Sequence, residues 1–184
     1  MSRGTANEWS TPIGPELAHH MGAHARYHPG MDVATRNELI ARYRAGYGEV
    51  RGALAGIAPA ELDRPAADGW TARQVVHHLA DSEWTSGLRL RKLLAEPVPI
   101  LWAYPEEAWA RALFYDRRPI EPSLEAFRLA RETTLGILEH MSEDGWKREG
   151  WHSESGLYTP ERWLEIYAAH AFEHAAQIRR ARGG

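Results

Sequence analysis

The chain has 184 residues, with 22 Lys plus Arg against 25 Asp plus Glu, a formal net charge of −3, and no cysteine. At roughly 150 residues per domain this is one domain, long enough to bury its own core. The acidic balance without a basic cluster argues against nucleic acid as a partner, and the missing cysteines exclude disulfide scaffolds, thiolate nucleophiles and Cys-type zinc sites.

Residues 1–30 read as a poorly structured N-terminal arm: Gly4, Pro12, Gly14, Pro15, Gly22, Pro29 and Gly30 punctuate it. It carries His19, His20, His24 and His28, expected to be solvated, although His20, His24 and His28 could form an accessory metal site. Met1 to Gly14 lacks the charged-then-apolar layout of a secretory signal, and Met31 is a candidate natural start. No apolar run approaches the roughly 18–20 residues that cross a bilayer, so a membrane role is not expected and the cytoplasm is the expected compartment.

Residues 31–184 read as an all-α domain, a four-helix bundle with a long crossover between its second and third helices. The first helix spans about Asp32 to Ile57, with Leu39, Ile40, Tyr43, Tyr47, Val50 and Leu54 at threes and fours. Pro59, Pro65 and Gly69 then mark a connection, and Thr71 stands as the N-cap of a second helix running to about Ala95. Pro97, Pro99, Pro105 and Pro119 make Glu96–Glu121 the crossover, with a short helix over Pro105–Leu113. A third helix begins near Pro122 and carries Leu124, Phe127, Leu135, Leu138 and Met141. Thr159-Pro160-Glu161 opens the fourth, with cap, proline and acid in the order a helix start favours; Arg179, Arg180 and Arg182 sit at its negative end.

The 10 histidines carry the chemistry. On the fourth helix Trp163, Ile166, Tyr167, His170, His174 and Ile178 share the inward stripe, which stacks His170 and His174 one turn apart. On the second, His78 shares a face with Val75, Leu79 and Ser82. Bundle interiors build metal sites from facing helices in this way, and three neutral imidazoles leave a fourth position for substrate. A chain this rich in histidine yields about half an H-x-x-x-H pair by chance, so spacing alone leaves core packing open as the other reading.

Asp81, three residues after His78, is a candidate to accept an imidazole N–H. A surface carboxylate is the alternative. His152, in a glycine-flanked loop, faces either substrate or solvent. His170-Ala171-Phe172-Glu173-His174 also fits H-x-x-E-H, but only ten residues follow for the further ligand that motif needs, so Glu173 is assigned to solvent or to support of a ligand. His77 and His140 receive no role. The tryptophans are assigned to packing, since no basic groove accompanies them for single-stranded nucleic acid.

Two strings carry a family resemblance. Trp70-Thr71 through His78-Leu79-Ala80-Asp81 resembles the W-[ST]-x-x-x-x-x-x-H-L-x-D signature of the DinB/YfiT superfamily, and Tyr167-Ala168-Ala169-His170 through His174 to Ile178 resembles its closing Y-A-x-H-x-x-x-H-x-x-x-I. Between them, Tyr104-Pro105-Glu106-Glu107-Ala108-Trp109 is similar to the family's crossover, and Trp151-His152-Ser153-Glu154-Ser155-Gly156 to its H-P-E-x-G loop, with Ser153 at the proline position. The resemblance covers about Asp32 to Ile178.

It implies a bundle in which His78, His170 and His174 hold a divalent metal ion, zinc or nickel. It also implies a homodimer whose partners are a small-molecule thiol, such as bacillithiol or mycothiol, and an electrophilic substrate. The expected activity is thiol S-transfer, the nucleophile being a thiol that the metal activates. Metal-dependent hydrolysis with water in that place is the alternative, and a non-catalytic metal-binding stress protein is a third reading.

Overall fold

The computed structural model describes residues 30–183, so the readings of residues 1–29, including His20, His24 and His28, lie outside the described residues. In chain order the elements are α1 (Val33–Leu54), α2 (Pro59–Leu62), α3 (Ala72–Ala95), β1 (Ile100–Leu101), α4 (Glu106–Ala112), α5 (Glu121–His140), α6 (Glu143–Trp146), β2 (Gly150–His152), β3 (Gly156–Tyr158) and α7 (Pro160–Gly183). Helices α1, α3, α5 and α7 form the bundle. None is long and apolar enough to cross a membrane.

The helix starts follow from capping chemistry. Asp32 Oδ1 accepts from the Thr35 amide at 2.9 Å, ahead of α1. Thr71 and Gln74 form a reciprocal capping box: Thr71 Oγ1 accepts from the Gln74 amide at 3.2 Å, and Gln74 Oε1 from the Thr71 amide at 2.9 Å. Thr159 Oγ1 accepts from the Arg162 amide at 3.1 Å, with Pro160 as the first residue of α7. Helix α1 stops at Leu54 rather than at the expected Ile57, because Gly56 takes φ +66° and Pro59 opens α2.

Cross-helix contacts fix the topology. His77 meets Ser123, Glu83 meets Arg131 and Arg91 meets Thr134, so residue numbers rise together and α3 and α5 run parallel. Arg36 meets Glu161 and Glu49 meets Arg179, so α1 and α7 are parallel as well. His78 meets His170 while Ser86 O accepts from Trp163 Nε1, which makes α3 and α7 antiparallel. The order around the ring is α1, α7, α3, α5. A parallel step between neighbours requires the chain to return the full bundle length, and this is the physical reason for the long crossover from Glu96 to Ile120.

The connections hold a feature the sequence reading lacked, a three-stranded sheet. β1 pairs parallel with β2 (Ile100 with Trp151, Leu101 with His152), and β2 pairs antiparallel with β3 (Trp151 with Leu157, His152 with Gly156). It ties the crossover to the Trp151–Tyr158 hairpin. Gly150 permits the close approach: a Cβ there would stand 2.8 Å from Leu93 Cδ2 and 2.9 Å from the Pro99 carbonyl oxygen.

The core has two apolar clusters. Val50, Val75, Val76, Leu79, Phe127, Ala171, Ala175 and Ile178 fill one, and Tyr43, Leu90, Leu93, Leu101, Leu138, Trp163 and Leu164 fill the other. Between them lies a buried polar layer. Arg131 donates to Glu83 Oε2 at 2.8 Å and to the Tyr43 carbonyl at 2.5 Å, and the Tyr43 hydroxyl donates to Glu83 Oε1. Burial pushes the Glu83 carboxyl up, and the Arg131 guanidinium and the Tyr43 hydroxyl oppose it. Gly46 gives Arg131 and α7 their space, since a Cβ there would meet Arg131 Nη2 and Ala171 Cβ, each at 2.7 Å.

Candidate metal centre

His78 projects from the first third of α3, and His170 and His174 from the middle of the antiparallel α7. Their ring nitrogens converge: His78 Nε2 lies 3.4 Å from His170 Nε2, and His174 Nε2 lies 3.1 Å from the same atom. One nitrogen from each of the three rings falls within 4.8 Å of the others. For metal–nitrogen bonds of about 2.0–2.1 Å in a tetrahedral arrangement, ligand nitrogens stand about 3.3–3.4 Å apart, so the observed separations suit one shared cation.

The electrostatics point the same way. Desolvation lowers all three imidazoles below their ordinary range, His78 to about 3 and His170 well below it, with mutual repulsion adding to the effect at His78 and His170. Neutral rings keep their lone pairs at neutral pH. His170 Nε2 faces two other ring nitrogens, and one hydrogen could bridge only one of those contacts, whereas one cation serves all three. Neutral imidazole sets suit zinc, nickel, copper or cobalt better than magnesium or calcium.

The surroundings orient the set. Asp68 Oδ2 accepts from Gln177 Nε2 at 2.8 Å, and Gln177 Oε1 lies 2.7 Å from His174 Nδ1. A carboxylate can only accept, so it draws the amide NH2 toward itself and turns the amide oxygen to the ring. His174 Nδ1 therefore carries the proton, and its Nε2 lone pair points at the other two imidazoles. Asp68 is itself fixed by the Trp70 amide at 3.0 Å, which helps hold its carboxyl below the usual range. Trp70 packs its edge on His78 at 5.8 Å and Tyr167 packs on His170 at 5.6 Å. The His170 Nδ1 atom is buried and has no partner among the described residues.

The other sequence candidates fall elsewhere. Asp81 does not serve an imidazole: its Oδ2 accepts from the Tyr115 hydroxyl at 2.5 Å. Three residues at about 100° each turn it about 60° away from His78, toward the end of the crossover. His152 is buried in the β2–β3 hairpin, its ring 5.4 Å from that of Tyr158, and its Nδ1 accepts from the Glu154 and Ser155 amides at 3.4 Å. Its described contacts do not include the three imidazoles. Glu173 is exposed, so the H-x-x-E-H geometry is absent. His77 is a satisfied core residue, accepting from Ser123 Oγ at 2.7 Å and donating to the Arg118 carbonyl at 3.2 Å. Gln177 and Asp68 are the residues that sequence reasoning missed. Gln177 stood one position before the closing isoleucine of the motif, three residues past His174, where a helix brings side chains together.

Three imidazoles converging from two antiparallel helices of a four-helix bundle make this a candidate metal-binding bundle protein. Residues 42–178 match the DinB superfamily model, and the chain belongs to that superfamily. It is 36% identical over 110 residues to a protein of Oceanobacillus iheyensis described as a "putative metal-dependent hydrolase", a stretch covering 60% of this chain and 63% of that one. Its fold matches the solved structure of YfiT from Bacillus subtilis, described as a "probable metal-dependent hydrolase with an unusual four-helix bundle topology" (TM-score 0.78, 26% identity, 86% of this chain and 91% of that one). The mycothiol-dependent maleylpyruvate isomerase shares the fold, at TM-score 0.64 and 15% identity over 78% of this chain and 60% of that one.

Proposed function

We propose that this protein is a metal-dependent enzyme in which His78, His170 and His174 hold one divalent cation beside a small electrophilic substrate, and that the nucleophile is a low-molecular-weight thiol. The observation that carries the reading is the convergence of three neutral Nε2 atoms, 3.1 and 3.4 Å apart, on one point. A divalent cation bound there, zinc or nickel by the chemistry of the donors, supplies Lewis acidity that deprotonates a thiol outright or makes water a nucleophile near neutral pH.

The residues around the centre favour the thiol. Hydrolytic sites of the H-x-x-E-H kind place a glutamate as general base beside the water. Here Glu173 faces solvent and Asp81 is engaged by Tyr115. A thiol, already more acidic than water, depends least on such a base, while water would rely on acidification by the cation alone. The work left to the chain is to orient His174 through Gln177, to keep the imidazoles neutral, and to present a surface of Trp70 and Tyr167 to the reactants. The name of the Oceanobacillus relative supports the hydrolytic reading, which is therefore the second to be tested. A homodimer is part of the proposal, checked by sedimentation of the purified protein.

Elemental analysis of the purified protein comes first, with close to one divalent ion per chain expected. Conjugation of a model electrophile is then compared with bacillithiol, with mycothiol and with water alone. Faster turnover with a thiol supports the reading, turnover with water alone replaces it by hydrolysis, and bound metal without turnover in any arm overturns the enzymatic reading. Replacement of His78 or His170 by Ala should release the ion and abolish the metal-dependent rise in melting temperature, because a ligand that binds only the folded state stabilises it.

A further inference from the structure

Beyond the three imidazoles, α3, α7 and the crossover bring together polar groups that the proposed chemistry does not use. Arg89 on α3 donates from Nη1 to the Tyr167 hydroxyl at 3.3 Å and from Nη2 to the Trp102 carbonyl at 2.5 Å. Both partners are neutral, and among the described residues no carboxylate forms an ion pair with this guanidinium. Glu106 feels its charge only from beyond ion-pair distance. Its fork keeps further N–H donors free. Above it, 5.9 Å from the guanidinium carbon, stands the ring of Tyr104, whose buried hydroxyl makes no well-formed hydrogen bond, with the Ser82 hydroxyl as its near neighbour. A buried hydroxyl left unmade is disfavoured unless something else supplies its partner. The Ser82 hydroxyl is buried next to both phenols.

These groups lie beside the metal centre. Ser82 follows His78 by one turn, about 6 Å along α3, and Tyr167 precedes His170 by three residues, about 4.5 Å along the antiparallel α7. The two displacements run in the same direction, and the Tyr167 ring touches His170.

We propose that Arg89, Tyr104, Tyr167 and Ser82 form an oxyanion subsite, and that the substrate is a carboxylic acid whose carboxylate sits there, about one helical turn from its reacting carbon. The guanidinium supplies the charge and the Tyr104 hydroxyl a hydrogen-bond donor. Charge-assisted bonds of this kind are about twice as strong as neutral ones and fix orientation as well as affinity. This deepens the proposed function, since the carboxylate would hold the electrophile beside the three imidazoles.

The test titrates succinate, its uncharged diamide and inorganic phosphate into the metal-loaded and the metal-free protein by calorimetry. For wild type, succinate is expected to bind at least tenfold more tightly than the diamide in the metal-loaded form, and more tightly than phosphate. Arg89→Met should weaken succinate tenfold or more at unchanged metal content, and Arg89→Lys should restore part of the loss. Tyr104→Phe is the structural control: it deletes a hydroxyl whose near neighbour, the Ser82 hydroxyl, forms no well-made bond with it, so melting temperature should stay close to wild type while succinate weakens severalfold. Equal succinate binding by wild type and Arg89→Met would place the anion on the ion alone and overturn the subsite. So would a preference for phosphate, or no succinate binding at 50 mM. A protein that takes up no metal would fail the reading of the centre, whereas succinate binding in its metal-free arm would still decide the subsite.

Discussion

Gln177 and His174 sit three residues apart on α7, and the amide oxygen of the first holds the Nδ1 proton of the second at 2.7 Å. Because Asp68 holds the other end of the amide at 2.8 Å, the tautomer of His174 is set from outside the imidazole cluster. Partners of this kind are worth about 10–100-fold in metal affinity. Gln177→Ala should weaken divalent-ion binding by that factor in a chelator competition. The melting temperature of the metal-free protein should stay within a few degrees of wild type, because Gln177 packs at the edge of the core. Asp68→Asn should act in the same direction but less, since an asparagine can still accept from Gln177. Unchanged affinity in Gln177→Ala would mean that His174 is oriented by packing alone.

Glu173 offers the converse test. It lies between His170 and His174 in sequence, yet helix periodicity turns it outward and it is exposed. Glu173→Gln should leave metal affinity and turnover within about twofold of wild type, the scatter of an ordinary surface substitution. A fall of a hundredfold or more in rate at full metal occupancy would restore it as a general base and return the chemistry to hydrolysis.

The metal-free protein should lose stability as pH falls from about 6.5 toward 4. His78, His170 and His174 all titrate below the ordinary imidazole value when folded, His78 at about 3. The unfolded chain therefore binds more protons across that window, and stability is full above the unfolded value and declines as pH drops toward the folded one. Each such imidazole contributes a slope of at most about 1.4 kcal/mol per pH unit. Aspartates with lowered values, such as Asp63 beside Arg73, add their own loss only below about pH 4, so the two effects separate. Urea midpoints at pH 7, 6 and 5 measure the slope. His78→Ala should make it shallower, and a flat profile in wild type would show that the rings are not held neutral.

What could be read from the sequence was whatever is local. The Thr71–Gln74 box, the Thr159-Pro160 start and the one-turn spacing of His170 and His174 depend on residues within four positions of each other. Period alone also put His78 on the inward face of α3. Three features escaped because they are made by distant segments or are too short. Asp68 and Gln177 are separated by 109 positions, and nothing local marks them as partners. The strands have two or three residues each, too few to alternate. Asp81 looked like support for a ligand on spacing alone, but the crossover carries Tyr115 to it, and only tertiary structure shows that.

Glu83 and Arg131 would pass in sequence for surface charges on two helices, yet they are 0% and 4% exposed, with Nη1 and Oε2 2.8 Å apart. Removing one partner of such a pair leaves a charge stranded in the core, at a loss of about 3–5 kcal/mol. Arg131→Met should show that loss in urea unfolding, since Glu83 would retain only the Tyr43 hydroxyl. Glu83→Leu combined with Arg131→Met should recover most of it, because the double change removes both desolvated charges and joins the two apolar clusters. The two substitutions are in direct contact, so their effects should be strongly non-additive. If the double variant is no more stable than Arg131→Met alone, the polar layer is held by its packing around Gly46 and Tyr43 rather than by mutual compensation of charge.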